Sequence, residues 1–173
     1  MGEADSPLLE VRGLVKDYPG VRALDGVDLN VTRGQVHCLI GQNGAGKSTL
    51  IKSVSGLVEP TAGEVRFEGE PLPVGDPTAS IARGIATIYQ ELDLVPHLSV
   101  ALNVFLGHER RRGPLLNRAA MHRETAALLA RLGDEGIAPT AAVTTLRPAQ
   151  QQVVSMARAL SHSVKLLILD EPT

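Results

Sequence analysis

The chain of 173 residues is long enough for one domain with a sizeable core and short for two. Aromatic residues make up only 2%, so Leu, Val, Ile and Ala must fill the interior, and a net charge of −2 gives no electrostatic ground for a nucleic-acid partner. The one cysteine, Cys38, excludes a disulfide framework and a thiolate zinc cluster, and no apolar run approaches the length that crosses a bilayer.

Short strands open the chain. "LLEVRGL" at 8–14 is one, and "VDLNV" at 27–31 alternates with Val27, Leu29 and Val31 on one face. "VHCLI" at 36–40 is a continuous apolar run, which predicts a strand buried on both faces and a buried Cys38 thiol. Residues 47–54 read as helix closing near Gly56, "EVRFEG" at 64–69 as an alternating strand, and 78–83 as a short helix stopped by Gly84. "IATIYQ" at 85–90 returns to strand.

From about Ser99 helices dominate. Ser99 is placed to cap "VALNVFLG", and Asn117 to cap "RAAMHRETAALLARL", which Gly133 terminates. A helix after Pro148 and the strand "KLLIL" follow. The basic run Arg110-Arg111-Arg112 reads as a solvated loop, and His37, His97, His108, His122 and His162 show no metal-ligand spacing. The expected organisation is an α/β core over 1–97 and 162–173 that surrounds a helical subdomain over 98–161.

"GQNGAGKST", 41–49, fits the phosphate-loop pattern G-x-x-x-x-G-K-[ST], with an apolar run before it and a helix after. Gly41, Gly44 and Gly46 let the backbone turn its N–H groups inward around phosphate oxygens, with Gln42, Asn43 and Ala45 between them. The helix beginning at Lys47 adds its positive end, and the Lys47 ammonium reaches the outer phosphates. The Ser48 hydroxyl can ligate Mg²⁺, and Thr49 can bond an inner phosphate.

"LLILDE", 166–171, supplies a second half: a strand expected to be buried, tipped by two acids. Asp170 is placed to hold the hydration shell of Mg²⁺, and Glu171 to orient and deprotonate an attacking water. Gln90, at the end of a strand, could touch the metal or the water and report occupancy to a partner; its bland alternative is a solvent-facing amide. Tyr18 either stacks on adenine or fills core.

These motifs in this order resemble the ATP-binding cassette of ABC transporters. "IYQELDLVPHLSVALNVFLGHE" is more specific and is similar to the ATPase subunits of monosaccharide importers of the ribose, galactose and xylose type. The resemblance implies a P-loop cassette with a mostly parallel core sheet, an antiparallel β subdomain and a helical subdomain. It implies ATP and Mg²⁺, membrane permease partners, a sugar-binding protein upstream, and a place on the cytoplasmic face of the membrane. It makes Tyr18 the adenine-stacking aromatic, Gln90 the coupling glutamine and Glu171 the catalytic base. It also implies head-to-tail pairing with a second cassette, so that each ATP meets one phosphate loop and the opposite signature helix.

Three departures stand out. Leu102 replaces the usual Glu of the sugar-importer class. In the signature position "LRPAQQQ", Leu146, Ala149 and Gln150 fit, but Arg147 stands where a serine is usual and Pro148 follows it. Arginine accepts no bond from the first turn and its charge opposes the positive end of the helix, so impaired activation across the pair is expected. Finally, only Pro172 and Thr173 follow the two acids, and the later strands and switch histidine of the family lie outside this sequence. The expectation is weak or absent hydrolysis by this chain alone and exposed apolar surface. A cassette that binds nucleotide or a partner without efficient turnover is the competing reading. A non-transport cassette acting on nucleic acid is disfavoured by the charge and the single cysteine.

Overall fold

The computed structural model describes residues 7–73, 75–89 and 94–170. The chain divides into two compact units, Met1–Ile85 and Ala86–Thr173.

The first unit is built on a hairpin. β1 (Leu9–Tyr18) and β2 (Val21–Val31) pair antiparallel from Leu9↔Val31 to Tyr18↔Val21. The Pro19-Gly20 turn closes it: proline presets its own φ, and Gly20 at φ 81° takes the conformation that the next position needs. The strands are longer than the sequence suggested, and the extension carries Tyr18 to the hairpin end. β1 also pairs antiparallel with β3 (Ala62–Phe67), and β3 with the short β4 (Glu70–Pro71), giving the order β2-β1-β3-β4. Leu9, Val11, Leu14, Leu24, Val31, Val65 and Phe67 are buried, so the expected antiparallel subdomain forms on aliphatic packing with one aromatic at its centre.

Two helices follow in the same unit, the first of them beside β2. α1 (Lys47–Val54) buries Leu50 and Val54. α2 (Pro77–Arg83) begins with Pro77 at its first position and Asp76 accepting from the Ala79 N–H at 3.1 Å. It ends at Gly84, φ 97°, and the Ser80 hydroxyl donates to the Val54 carbonyl, which ties α2 to α1.

One expectation fails here. Residues 36–40 form no strand; they run extended and uncovered, with Val36 93% and Ile40 92% exposed, and Cys38 is exposed rather than buried. An apolar run becomes a buried strand only when neighbours pair with it on both sides. Among the described residues no strand pairs with this segment.

In the second unit, β5 (Ile85–Ile88) pairs with β8 (Leu166–Leu169), and the Asp170 N–H donates to the Ile88 carbonyl at 3.0 Å. Among the described residues these two strands represent the core sheet. β8 is not buried throughout, as the sequence suggested: Leu167 and Leu169 face outward, because only one side of it is packed.

The helical part comprises α3 (Val100–Val104), α4 (Arg118–Arg131) and α5 (Pro148–Leu160). Ser99 caps α3 through the Leu102 N–H, and Asn117 caps α4 through the Ala120 N–H. Val100, Val104, Phe105, Met121, Leu129 and Val154 form its core. The arginine run is not a free loop: β6 (Arg111–Arg112) pairs with β7 (Leu115–Leu116), Arg110 bonds Glu124 at 2.8 Å, and its guanidinium lies over the Phe105 ring.

Candidate functional site

The segment 41–49 keeps the shape its glycines predict. Gly44 and Gly46 sit at φ 82° and 85°, in the left-handed region. Between them the Ala45 N–H donates to the Gln42 carbonyl at 3.1 Å, which closes a tight turn. Gly46 is the N-cap of α1, no side chain caps the helix, and its first turn holds no acid. Among the described residues no side chain caps the opening N–H groups of α1, which carry the partial positive charge of the helix. At Gly46 there is no room for a side chain: an added Cβ would run into the Ala23 carbonyl and the Leu24 side chain.

Lys47 bends back over the loop. Its ammonium donates to the carbonyls of Gly41 at 2.7 Å and Gln42 at 2.9 Å. Ser48 is exposed and Thr49 half-buried on the first turn of α1. Positive amide ends, an ammonium and two hydroxyls are groups that can receive an anion with several oxygens. In the same unit Tyr18 is 39% exposed, with the Lys16 ammonium 5.2 Å from its ring centre. It is therefore not core filling, and it offers an aromatic face to a planar ligand.

The second unit carries the remaining candidates. Asp170 follows β8, half-buried, its backbone fixed to β5. Gln90 and Glu171 lie outside the described residues. Arg147 is the N-cap of α5, its side chain makes no cap bond, and Pro148 opens the helix. Gln150 reaches back to accept from the Arg147 N–H at 3.2 Å, so one half of a capping box survives. Ala149 occupies the second position of the same turn.

Two features escaped the sequence reading. Asn103 is fully buried among apolar neighbours, with every amide group bonded to residues 95–99. An asparagine within an otherwise apolar helical stripe was the available signal, since a buried amide must be satisfied. The second is a histidine pair. His108 and His162 stack with ring centres 3.9 Å apart, and a ring nitrogen of His108 lies 2.8 Å from the Ser161 hydroxyl. Burial lowers the pKa of both. Mutual repulsion adds to this for His108, and Arg158 and Arg110 add to it for His162.

Comparison with known proteins agrees with this geometry. Residues 24–173 match the family described as "ABC transporter". The chain is 51% identical over its whole length to a ribose import ATP-binding protein RbsA 1 of Streptomyces avermitilis, and 48% identical over 96% of its length to one of Rubrobacter xylanophilus. It spans about a third of the length of each, 33% in both cases. Among solved structures it is similar to cbiO1 from Clostridium perfringens, described as part of the ABC transporter complex cbiONQ. That likeness has a TM-score of 0.80 and 29% identity, and covers 98% of this chain and 67% of that one.

Proposed function

Because the chain belongs to the ABC transporter family, we propose that it is the ATP-binding part of a sugar importer, coupling ATP binding and hydrolysis to movement of a monosaccharide through a membrane permease. The observation that carries this reading is the cradle at 41–49, where Gly44 and Gly46 hold the amides open and Lys47 stands ready above them. The names of the relatives supply the substrate class. No described helix is long and apolar enough to cross a membrane; on this reading attachment to the inner face would run through the permease. A second cassette, paired head to tail, and a sugar-binding protein complete the assembly. On this reading 1–97 with 162–173 is the nucleotide-binding core and 98–161 the signature subdomain.

The chemistry follows from the residue types. ATP would lay its phosphates along the amides of 41–49, with Lys47 exchanging its carbonyl partners for the outer phosphate oxygens and Tyr18 stacking on the adenine. Glu171 would take a proton from the water that attacks the γ-phosphorus. Ser48, Asp170 and Gln90 offer the hard oxygen donors that suit Mg²⁺, which would neutralise charge between the outer phosphates. Arg147, Pro148, Ala149 and Gln150 would face the γ-phosphate of the partner cassette.

A second reading rests on Arg147. Its uncapped first turn and like-charged approach to the positive end of α5 favour a cassette that binds ATP and turns it over slowly. Calorimetric titration with ATP, beside a phosphate-release assay on the same protein and on Glu171→Gln, separates the two. Micromolar binding with Glu171-dependent release supports the first reading, and binding without release the second. No binding overturns both.

A further inference from the structure

We propose that Lys16 is a positioning residue for the nucleotide base: its ammonium backs one face of the Tyr18 ring and leaves the other face to the adenine. The proposal rests on the reading that Tyr18 stacks on that base, and it adds a residue that none of the sequence motifs marks.

Lys16 and Tyr18 stand two apart on β1, a spacing that puts both side chains on one face of the strand. The Lys16 ammonium lies over the Tyr18 ring, 5.2 Å from its centre, and donates to the Glu59 carbonyl at 2.7 Å. The strand is pinned on either side of Lys16. The Thr61 N–H donates to the Val15 carbonyl at 2.8 Å, and the Asp17 N–H donates to the Thr61 hydroxyl at 3.0 Å. Lys16 is accordingly half-buried beside an exposed tyrosine, its ammonium placed by segment 59–61 rather than left to swing in solvent. The bond to Glu59 uses one of three protons, and the charge still faces the ring.

The hairpin also places this pair relative to the phosphate loop. Lys16 pairs with Leu24 and Asp17 with Arg22, so the register skips Ala23, as at a β-bulge. The Ala23 carbonyl is the group that packs against Gly46. Tyr18 pairs with Val21, two residues from Ala23, or roughly 7 Å along the strand. The ring therefore stands a short way from the start of α1, on the strand pair that touches it.

A cation on one face of an aromatic ring draws the π electrons towards itself. The opposite face then repels the π cloud of a stacked purine less. The same contact limits the rotation of Tyr18 before any ligand arrives, so less side-chain freedom is lost on binding. Both effects pass through the ring, and neither needs Lys16 to touch the nucleotide. A lysine that bonded phosphate would behave otherwise, because it would act with or without the tyrosine.

A double-mutant cycle in ATP affinity, measured by calorimetry, makes that distinction. Lys16→Met keeps the length of the stem and removes the charge. It should weaken ATP about threefold and leave inorganic triphosphate unaffected, which also checks that the variant is folded. Lys16→Arg returns a cation to the ring and should restore the affinity. In a Tyr18→Leu background, Lys16→Met should change nothing further. Proton NMR without nucleotide reads the contact itself: the Lys16 ε-methylene signals should lie upfield in the wild type and return to ordinary positions in Tyr18→Leu.

An equal loss from Lys16→Met in the Tyr18→Leu background, a matching loss for triphosphate, or Lys16→Arg no better than Lys16→Met would each overturn the proposal. So would Lys16→Met binding ATP like the wild type while Tyr18→Leu binds it weakly, and in that case the adenine reading stands. If Tyr18→Leu itself binds ATP as tightly as the wild type, the adenine reading falls and takes the proposal with it, even where the upfield Lys16 signals record the contact.

Discussion

The Lys47 ammonium holds the carbonyl oxygen of Gly41 at 2.7 Å, closing the phosphate loop with its own side chain. On the proposed reading the charge that would receive phosphate is already partnered, and binding would exchange one set of charge-assisted bonds for another. Lys47→Ala removes the stronger set while freeing the two carbonyls. We expect ATP affinity to fall about tenfold, somewhat less than the ~1.5–3 kcal/mol usual for loss of a charged hydrogen bond. Titration calorimetry checks this, and unchanged affinity would remove Lys47 from the site.

The two left-handed glycines of the loop should differ in their tolerance. Gly44 has open space where a Cβ would go, so Gly44→Ala should cost only the backbone strain, about 1–2 kcal/mol. At Gly46 the same strain is joined by collision with the Ala23 carbonyl, and the Leu24 side chain must also move. Gly46→Ala should lower the melting temperature clearly more than Gly44→Ala, and equal losses would contradict the packing described.

Tyr18 sits at an open hairpin end with its ring accessible. Tyr18→Ala should leave the melting temperature within a degree or two while weakening ATP by roughly 1–2 kcal/mol, as base stacking is worth. Inorganic triphosphate, which has no base, should bind both proteins alike. A large stability loss would instead make Tyr18 a core residue.

Arg147→Ser returns a cap acceptor to α5 and removes a like charge from its positive end. The expected gain is about 1 kcal/mol in stability, read by urea melts, together with faster phosphate release. A variant no faster than wild type would show that Arg147 does not limit turnover.

The stacked His108 and His162 predict an acid-sensitive fold. Their pKa values in the fold lie below the ordinary histidine value, so the unfolded chain binds more protons as pH drops. Stability from the neutral pair is full above the unfolded value near ~6.5. It declines as pH falls through that value towards the lowered folded ones. Melting temperature should therefore drop between neutral and mildly acid pH, and His162→Phe, which keeps a stacked ring, should flatten the curve.

What could be read in advance was whatever local chemistry decides. The helix over 47–54 forms within the expected limits because Gly46 and Gly56 mark its ends, and Ser99, Asn117, Gly84 and Gly133 punctuate the others as their residue types require. Residues 36–40 escaped because an apolar run carries no record of its neighbours; burial is a property of the partners, not of the run. The bonds of the buried Asn103 amide escaped because its partners are backbone groups, which every sequence supplies. The site divides in the same way: the loop glycines and Lys47 are written in their spacing, whereas the bond from Lys47 to its own loop is set by three-dimensional reach.

The uncovered ribbon at 36–40 has a practical consequence. A mostly apolar stretch that no described strand covers is a surface on which another strand can lie, and a second copy of this chain would present the same surface. Ile40 adjoins Gly41, so molecules adhering there would cover the mouth of the phosphate loop. Adhesion of that kind would be read as light scattering that falls when ATP is added, and scattering indifferent to ATP would rule it out.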